Sequence, residues 1–162
     1  MSEKGKVLGK KLMEKDKAEK LFPSFFSNFN YELPEGAKEE EINVYRICIN
    51  GYINREAFIS SYESVVIKQI SENKDIYEGS TDVSHYSTSC FEKARDAKRI
   101  FKCLSRHYPQ PIIAKGVTSK DCGPCQRTKE REGGKTSHVD WWIYKDSHPE
   151  KYFEEVDINE KK

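Results

Sequence analysis

The chain has 162 residues, 36% of them hydrophobic and 34% charged, which fits one domain with a modest core beneath a heavily charged surface. Its aromatic content of 12% excludes wholesale disorder, because disordered chains are poor in aromatic residues. The 28 Lys and Arg residues barely exceed the 27 Asp and Glu residues. A general nucleic-acid binder would show a clear basic excess, so any basic patch must be local.

The N-terminal residues 1–30 form a Lys-rich arm whose apolar residues recur at rough helical spacing as far as Pro23. We predict a basic amphipathic helix there, which either packs through one stripe or makes a local nucleic-acid or partner contact. Residues 31–158 are expected to form a single α+β domain, and residues 159–162 a charged tail.

The first half of this domain begins with a connector and then the run INVYRICIN, residues 42–50, whose β-branched and aromatic content predicts a strand. Asn54 is a suitable N-cap for a helix over residues 55–70, where apolar residues recur at helical spacing. A loop follows, and then a short strand over residues 83–88.

The clearest helix signal follows that strand. Ser89 and Glu92 match the S-x-x-E capping box, in which two side chains satisfy backbone amides at a helix start. Pro109 and Pro111 end the pattern. The apolar residues between these signals share one helix face: Phe91, Ala94, Ala97, Phe101 and Leu104.

The C-terminal third predicts a strand at residues 111–118, a long polar loop at 119–135 and another strand at 137–146. Alternation on the last strand puts Val139, Trp141 and Ile143 on one face and Asp140, Trp142 and Tyr144 on the other. A turn or short helix leads to a last strand at 154–158. The predicted fold class is therefore α+β, with a small, mainly antiparallel sheet or sheets and two or three flanking helices.

Localisation is predicted from what the chain lacks. No apolar run is long enough to cross a membrane, and the first residues lack the apolar core of a secretory signal. We therefore expect a cytoplasmic protein with no membrane partner. In that compartment the five cysteines are expected to be free thiols rather than a disulfide framework.

Cys122 and Cys125 form a C-G-P-C sequence, which matches the thioredoxin redox motif. Too few residues follow it for the rest of that fold. The pair could instead supply two zinc ligands, with His138 as a third at a spacing close to that of zinc fingers. The alternatives are a plain Gly-Pro turn with two free thiols and a reversible disulfide within the loop.

Standard phosphate-binding loops and the G-x-S-x-G nucleophile motif are absent from the sequence. Three separated motifs remain: V-Y-R at residues 44–46, S-T-S at residues 87–89 before the helix, and H-V-D at residues 138–140 on a late strand. Their order resembles the arginine, Ser-Thr-Ser and acidic arrangement of the ADP-ribosyltransferases. Asp140 stands where that family has its essential Glu, and His138 where it often has an accessory Glu or Gln.

The resemblance implies an NAD cleft between two small sheets. It implies that Arg46 binds the pyrophosphate, to which the forked donors of an Arg side chain are suited. It also implies that Arg46, Ser87 and Asp140 carry the catalysis. Cleavage of the nicotinamide–ribose bond develops oxocarbenium character, which a carboxylate stabilises. Asp is one methylene shorter than Glu, so the domain is either active or degenerate. The residues expected to contact the nucleotide are Arg46, Tyr45, Ser87, Thr88 and Trp142.

A second function stays open beside this one. The chain could be a small non-enzymatic accessory or inhibitor protein that binds a protein or nucleic-acid machine. The contacts would come from the basic arm, from the loop at residues 120–135 and from an exposed tryptophan, because Trp141 and Trp142 point to opposite faces of one strand. In the transferase interpretation the same loop recognises the protein target.

Overall fold

The computed structural model describes residues 15–70 and 74–157. Six strands form one sheet in the order β4-β5-β2-β1-β3-β6, and each neighbouring pair is antiparallel. This arrangement confirms the α+β class and the mainly antiparallel sheet. The strands are β1 Asn43–Cys48, β2 Thr88–Phe91, β3 Ile112–Val117, β4 Cys125–Arg127, β5 His138–Trp141 and β6 Phe153–Val156.

The helical segments are short. Residues 15–21 form α1, and α3, the longest of the α-helices that follow it, packs against β1, β2 and β3. No helix within residues 15–70 and 74–157 is long and apolar enough to cross a membrane. The other α-helices are α2 Lys74–Tyr77, α3 Ala94–Leu104 and α4 Thr128–Glu132. Single 3-10 turns lie at Ser24–Phe29, Arg55–Phe58, Val83–Tyr86 and Pro149–Tyr152, and a π-helical turn at Glu63–Ile67.

The predicted helix over residues 55–70 is wrong as one element. Its N-cap is confirmed, because the Asn54 side chain accepts a hydrogen bond from the Ala57 amide at 3.1 Å. The helix stops after a single 3-10 turn, since Ile59 adopts an extended conformation. The carbonyls of Ala57 and Ile59 instead accept hydrogen bonds from Arg46 at 2.9 and 3.4 Å. A long-range side chain thus replaces the helical hydrogen-bond ladder.

The strand predicted at residues 83–88 is a 3-10 turn, Val83–Tyr86, and the capping box is also wrong. Ser89 continues β2 and lies opposite Asp140 in the sheet. Glu92 accepts hydrogen bonds from Arg127 at 3.1 Å. β2 therefore pairs with β5 through Ser89, the residue that the local sequence pattern assigns to a helix cap.

The first turn of α3 is stabilised from another part of the chain. The Lys93 amide donates to Ser137 Oγ at 3.2 Å. Asp96 Oδ2 accepts from Ser137 Oγ at 2.6 Å and from the Ser137 amide at 3.3 Å. These hydrogen bonds lower the pKa of Asp96. The helix start is thus fixed by Ser137, the residue that precedes β5, and not by the serine triplet.

The predicted polar loop at residues 119–135 contains β4 and α4. Its C-G-P-C turn is fastened to the end of β5, because the Trp142 amide donates to the Pro124 carbonyl at 2.9 Å and the Tyr144 amide to the Cys122 carbonyl at 2.7 Å. Gly123 has a φ of +141°, and an added Cβ would lie 2.0 Å from the Trp142 carbonyl oxygen. This close approach positions β4 to pair with β5.

The predicted facing of the C-terminal tryptophan strand is confirmed. Val139, Trp141 and Ile143 belong to the core cluster that also contains Val44, Phe58 and Cys90. Trp142 lies on the opposite side, in an aromatic cluster that includes Phe22, Phe26, Phe29, Tyr62 and Tyr86. The prediction of an exposed tryptophan is wrong, since both indoles are fully buried. The accessory-protein hypothesis thereby loses one of its three contact features.

The aromatic cluster also shows how residues 15–30 attach to the domain. Phe22, Phe26 and Phe29 pack against Tyr86 and Trp142, and the Trp142 indole donates to the Val83 carbonyl at 3.0 Å. The remainder of the predicted arm, residues 1–14, and the predicted tail at 159–162 lie outside the described residues.

Candidate functional site

A cleft of about 650 Å³ opens where β1 and β2 diverge. β1 pairs with β3 along its whole length, from Asn43↔Val117 to Cys48↔Ile112, but with β2 only at Tyr45↔Phe91. The walls of the cleft come from both strands, from α3 and from the irregular segment 56–70. They include Arg46, Ile47, Ser87, Ser89, Ile100 and His138.

Arg46 bridges the opening between the diverging strands. Its Nη1 donates to the Ser89 carbonyl on β2 at 2.9 Å, and its other two hydrogen bonds hold the segment after β1. An Arg side chain has five N–H donors in a fixed fork. Three of these donors are used by carbonyls of the described residues, which leaves two for a ligand in the cleft.

Asp140 lies directly behind the cleft wall and is fully buried. Ser87 Oγ donates to Oδ1 at 2.6 Å, and Oδ2 accepts from Thr128 Oγ1 and from Arg131 Nη2, both at 2.8 Å. A buried carboxylate is tolerated when it is both paired and hydrogen-bonded, and this one meets both conditions. The network joins β5 to the residue before β2 and to α4.

His138 continues the network to the cleft. Its Nδ1 lies 2.5 Å from Thr128 Oγ1. Thr128 has one hydroxyl hydrogen, and a carboxylate can only accept, so Thr128 donates to Asp140 and accepts from the Nδ1–H of His138. This assigns the Nδ1-protonated tautomer to a neutral imidazole, with Nε2 as its free acceptor.

The electrostatic setting favours that neutral ring. Burial lowers the pKa of His138, and the nearby Asp140 carboxylate opposes the shift only in part. His138 is therefore an uncharged base near neutral pH, held in one orientation by Thr128. An edge-to-face contact with Phe91, with ring centroids 5.4 Å apart, fixes the ring further.

The structure brings together some of the predicted site residues and separates others. Arg46 and Ser87 line the cleft, and Asp140 is one hydrogen bond behind Ser87. Thr88 is buried, and its hydroxyl donates a hydrogen bond to the Phe58 carbonyl at 2.7 Å. Tyr45 and Trp142 lie outside the cleft: the Lys115 ammonium sits 5.7 Å from the Tyr45 ring centroid, and Trp142 is enclosed in the aromatic cluster.

The three predicted zinc ligands do not meet. Within the described ranges no group of three or more His, Cys, Asp or Glu side chains is arranged to hold a metal ion. His138 is engaged with Thr128, whereas Cys125 Sγ lies 3.4 Å from the Glu40 carbonyl oxygen and 3.5 Å from Thr118 Oγ1. Burial raises the pKa of both Cys122 and Cys125, so the thiolates that zinc requires are disfavoured.

Thr128 and Arg131 were missed as site residues because the segment carrying them reads as a polar loop. A weak signal was present. The two residues are three apart in the run TKERE, a spacing that places both on one side of a helical turn. His138 and Asp140 are two apart on a strand and therefore share a face. These spacings do not reveal that α4 contacts β5, because the pattern within each segment carries no information about the other.

Comparison with protein-family models, with curated proteins and with solved structures finds no match to this chain. The likeness to ADP-ribosyltransferases thus rests on the three short motifs and their order. Residues from all three motifs line one cleft, namely Arg46, Ser87 and His138, and Asp140 of the third motif supports its wall through Ser87.

Proposed function

We propose that this chain is an ADP-ribosyltransferase-like domain that binds NAD or a related nucleotide in the cleft between β1 and β2. The observation that carries the proposal is the meeting of the three motifs. Arg46 and Ser87 line the same cleft, and Ser87 is hydrogen-bonded to Asp140 at 2.6 Å. Arg46 and Ser87 are 41 positions apart along the chain, and Ser87 and Asp140 are 53 positions apart.

The cleft has the composition that a nucleotide needs. Its volume of about 650 Å³ falls within the range of small-molecule sites, which are mostly apolar with a few placed polar groups. The two unused donors of Arg46 suit a pyrophosphate, because guanidinium groups bind such oxygens through paired hydrogen bonds. The apolar wall suits a base, and it includes Ile47, Phe91, Ile100, Leu104 and Tyr108.

The roles of the acidic residue and the histidine differ from those that the resemblance implies. Asp140 is enclosed by three donors, so it orients Ser87 and Thr128 and does not itself touch the ligand. His138 is a half-buried group in the cleft wall that can take a proton. In glycosyl transfer its Nε2 accepts the proton of the incoming nucleophile, the new bond forms at the ribose carbon, and nicotinamide leaves with the electron pair of the broken bond.

Isothermal titration of the folded protein with NAD tests the proposal. Ser89 lines the cleft, and its side chain makes no hydrogen bond to a described residue, so Ser89→Leu obstructs the cleft without removing a structural contact. Ser27→Leu is the matched control, because Ser27 is exposed and does not line the cleft. We expect NAD to bind the wild type and the control, and to bind the cleft variant at least tenfold more weakly, about 1.4 kcal/mol.

The activity is tested separately by nicotinamide release. His138→Gln replaces the proton acceptor with a neutral side chain of similar length. We expect nicotinamide release to fall while NAD binding persists. Absence of any NAD or ADP-ribose binding by the folded wild type would overturn the proposed function. Equal binding by the two serine variants would place the ligand elsewhere.

A further inference from the structure

The outward face of α3 carries a dense row of basic side chains, which we call the α3 basic surface. The segment from residue 93 to residue 106 contains six basic residues and one acidic residue, Asp96. Asp96 is buried and bonded to Ser137, so it does not face solvent with the others. The α3 basic surface consists of Lys93, Arg95, Lys98, Arg99, Lys102 and Arg106, all exposed except the half-buried Lys98.

These cations are not neutralised by their surroundings. Within the described part of the chain, only Arg99 has an ion pair, a 3.8 Å contact with Asp96. Glu92, the acidic residue directly before this segment, is engaged elsewhere, since it pairs with Arg127 at 3.1 Å. The whole chain has a formal net charge of only +1, so this concentration of charge is a local property of one face.

The basic residues follow a line along the helix. Arg95, Arg99, Lys102 and Arg106 succeed one another in steps of three or four residues, which keeps them on one side of an α-helical path. Eleven residues from first to last correspond to about 16 Å at 1.5 Å per residue. That length matches about five phosphates of one nucleic-acid strand, at 3.4 Å of axis per phosphate.

The row ends in a shallow pocket of about 350 Å³ at the start of α3. Its lining includes four basic residues and one acidic residue, Glu92, whose carboxylate is paired with Arg127. The basic residues are Lys93, Arg95, Lys129 and Lys135. The last two are exposed and have no ion pair with a described residue. Four cations from α3, α4 and the following glycine turn therefore converge around a space that can admit a phosphate group.

We propose that the α3 basic surface binds the phosphate backbone of a nucleic-acid strand without sequence preference. Three of its six cations are Arg, whose fork suits phosphate oxygens. A membrane surface fits less well, because Ile100 and Leu104 of α3 line the cleft and Ala97 is fully buried. None of the exposed large hydrophobic residues that the structure describes lies on α3, so the helix offers no large apolar side chain to insert into lipid. The proposal rests on the outer face of α3 and is independent of nucleotide binding in the cleft.

Fluorescence anisotropy with a labelled oligo(dT) strand, over a series of salt concentrations, tests this proposal. The triple variant Arg95→Gln, Arg99→Gln, Lys102→Gln removes three charges from the surface and keeps residues of high helix propensity. The matched control is Lys120→Gln, Lys145→Gln, Lys151→Gln, at exposed lysines outside α3. Both triple variants change the net charge equally, and circular dichroism verifies that both are folded.

We expect the wild type to bind with a log–log salt slope of about −3 for a single strand, from four to five phosphate contacts at about 0.7 each. The surface variant should bind about tenfold or more weakly, with a slope shallower by about 2, and the control should stay within about twofold of the wild type. The same titration with an RNA strand and with a DNA duplex identifies which backbone the surface prefers.

Three results would overturn the proposal. One is absence of binding by the folded wild type at low salt. Another is equal weakening of the two triple variants, which would reveal a mere net-charge effect. The third is displacement of the strand by polyglutamate or by anionic vesicles at equal charge concentration, which would assign the surface to an acidic protein or to lipid.

Discussion

Replacement of Asp140 by Asn should destabilise the protein far more than the loss of an ordinary hydrogen bond. The side chain keeps its shape, but the carboxylate that accepts from Ser87, Thr128 and Arg131 becomes a neutral amide. Removing one partner of a buried ion pair costs about 3–5 kcal/mol. Arg131 retains 21% side-chain exposure and also lies 3.6 Å from the Glu132 carboxylate. Water and Glu132 therefore partly compensate the guanidinium, and we expect a cost near the lower limit, about 3 kcal/mol.

Urea denaturation followed by tryptophan fluorescence measures this change, because both indoles pass from a buried to a solvated environment on unfolding. A cost of about 3 kcal/mol corresponds to a fall of about 6–12 °C in Tm for a domain of this size. Asp146→Asn is the matched control at an exposed aspartate and should change the free energy of unfolding by less than about 0.5 kcal/mol.

A double-mutant cycle then assigns the cost to the pair. Arg131→Gln alone should also destabilise, because it leaves the Asp140 carboxylate buried with only hydroxyl donors. The combined variant should be more stable than additivity predicts, by at least about 1 kcal/mol. A free energy of unfolding for Asp140→Asn within about 0.5 kcal/mol of the wild type would refute the buried ionic network.

Three further predictions concern the rest of the site and its supports. The free energy of unfolding should fall as pH is lowered from about 7.5 to about 5. Partial burial lowers the pKa of His138, so below the ordinary histidine pKa of about 6.5 the unfolded chain takes up a proton that His138 in the folded chain does not. Identical pH profiles for the wild type and His138→Gln would contradict this. Ser137→Ala should cost about 1–2 kcal/mol in urea denaturation through loss of its hydrogen bonds to the start of α3, whereas Ser89→Ala, which removes no cap, should cost less than about 0.5 kcal/mol. In the native state a thiol reagent should react rapidly at one cysteine, the exposed Cys103, since the other four are buried; rapid labelling that survives Cys103→Ser, detected by mass spectrometry, would contradict the burial.

Strand positions and facing were predictable where the period of two is strong. β1, β3 and β6 lie within or close to their predicted ranges, and the alternation Val139, Asp140, Trp141 correctly separates the two faces of β5. These features depend on neighbours in sequence, because side chains on a strand point alternately to its two sides. The burial of both tryptophans was not predictable, since the aromatic cover over Trp142 comes from residues 22–29.

The errors share one physical origin, which is long-range pairing. Ser89 and Glu92 have the residue types of a capping box, yet pairing of β2 with β5 places Ser89 in a strand. The five residues of α4 have no apolar stripe to reveal a helix, and their contribution to the site lies in contacts with Asp140. Arg46 and Ser87 both line the cleft, but the short motifs do not reveal that Asp140 is enclosed by Ser87, Thr128 and Arg131.

The single residue pair between β1 and β2 divides the sheet mechanically. β4, β5 and β2 form one three-stranded unit, and β1, β3 and β6 form another. Apart from the pair Tyr45↔Phe91, the hydrogen bond that joins the two units at the centre, among the described residues, runs from the Arg46 side chain to the Ser89 carbonyl, while α3 packs against both units. The units therefore meet at the boundary of the sheet with the fewest backbone pairs, where local opening is easiest. A ligand that draws on the same guanidinium would act on this boundary, so the occupancy of the cleft is linked to the contact between the two halves of the sheet.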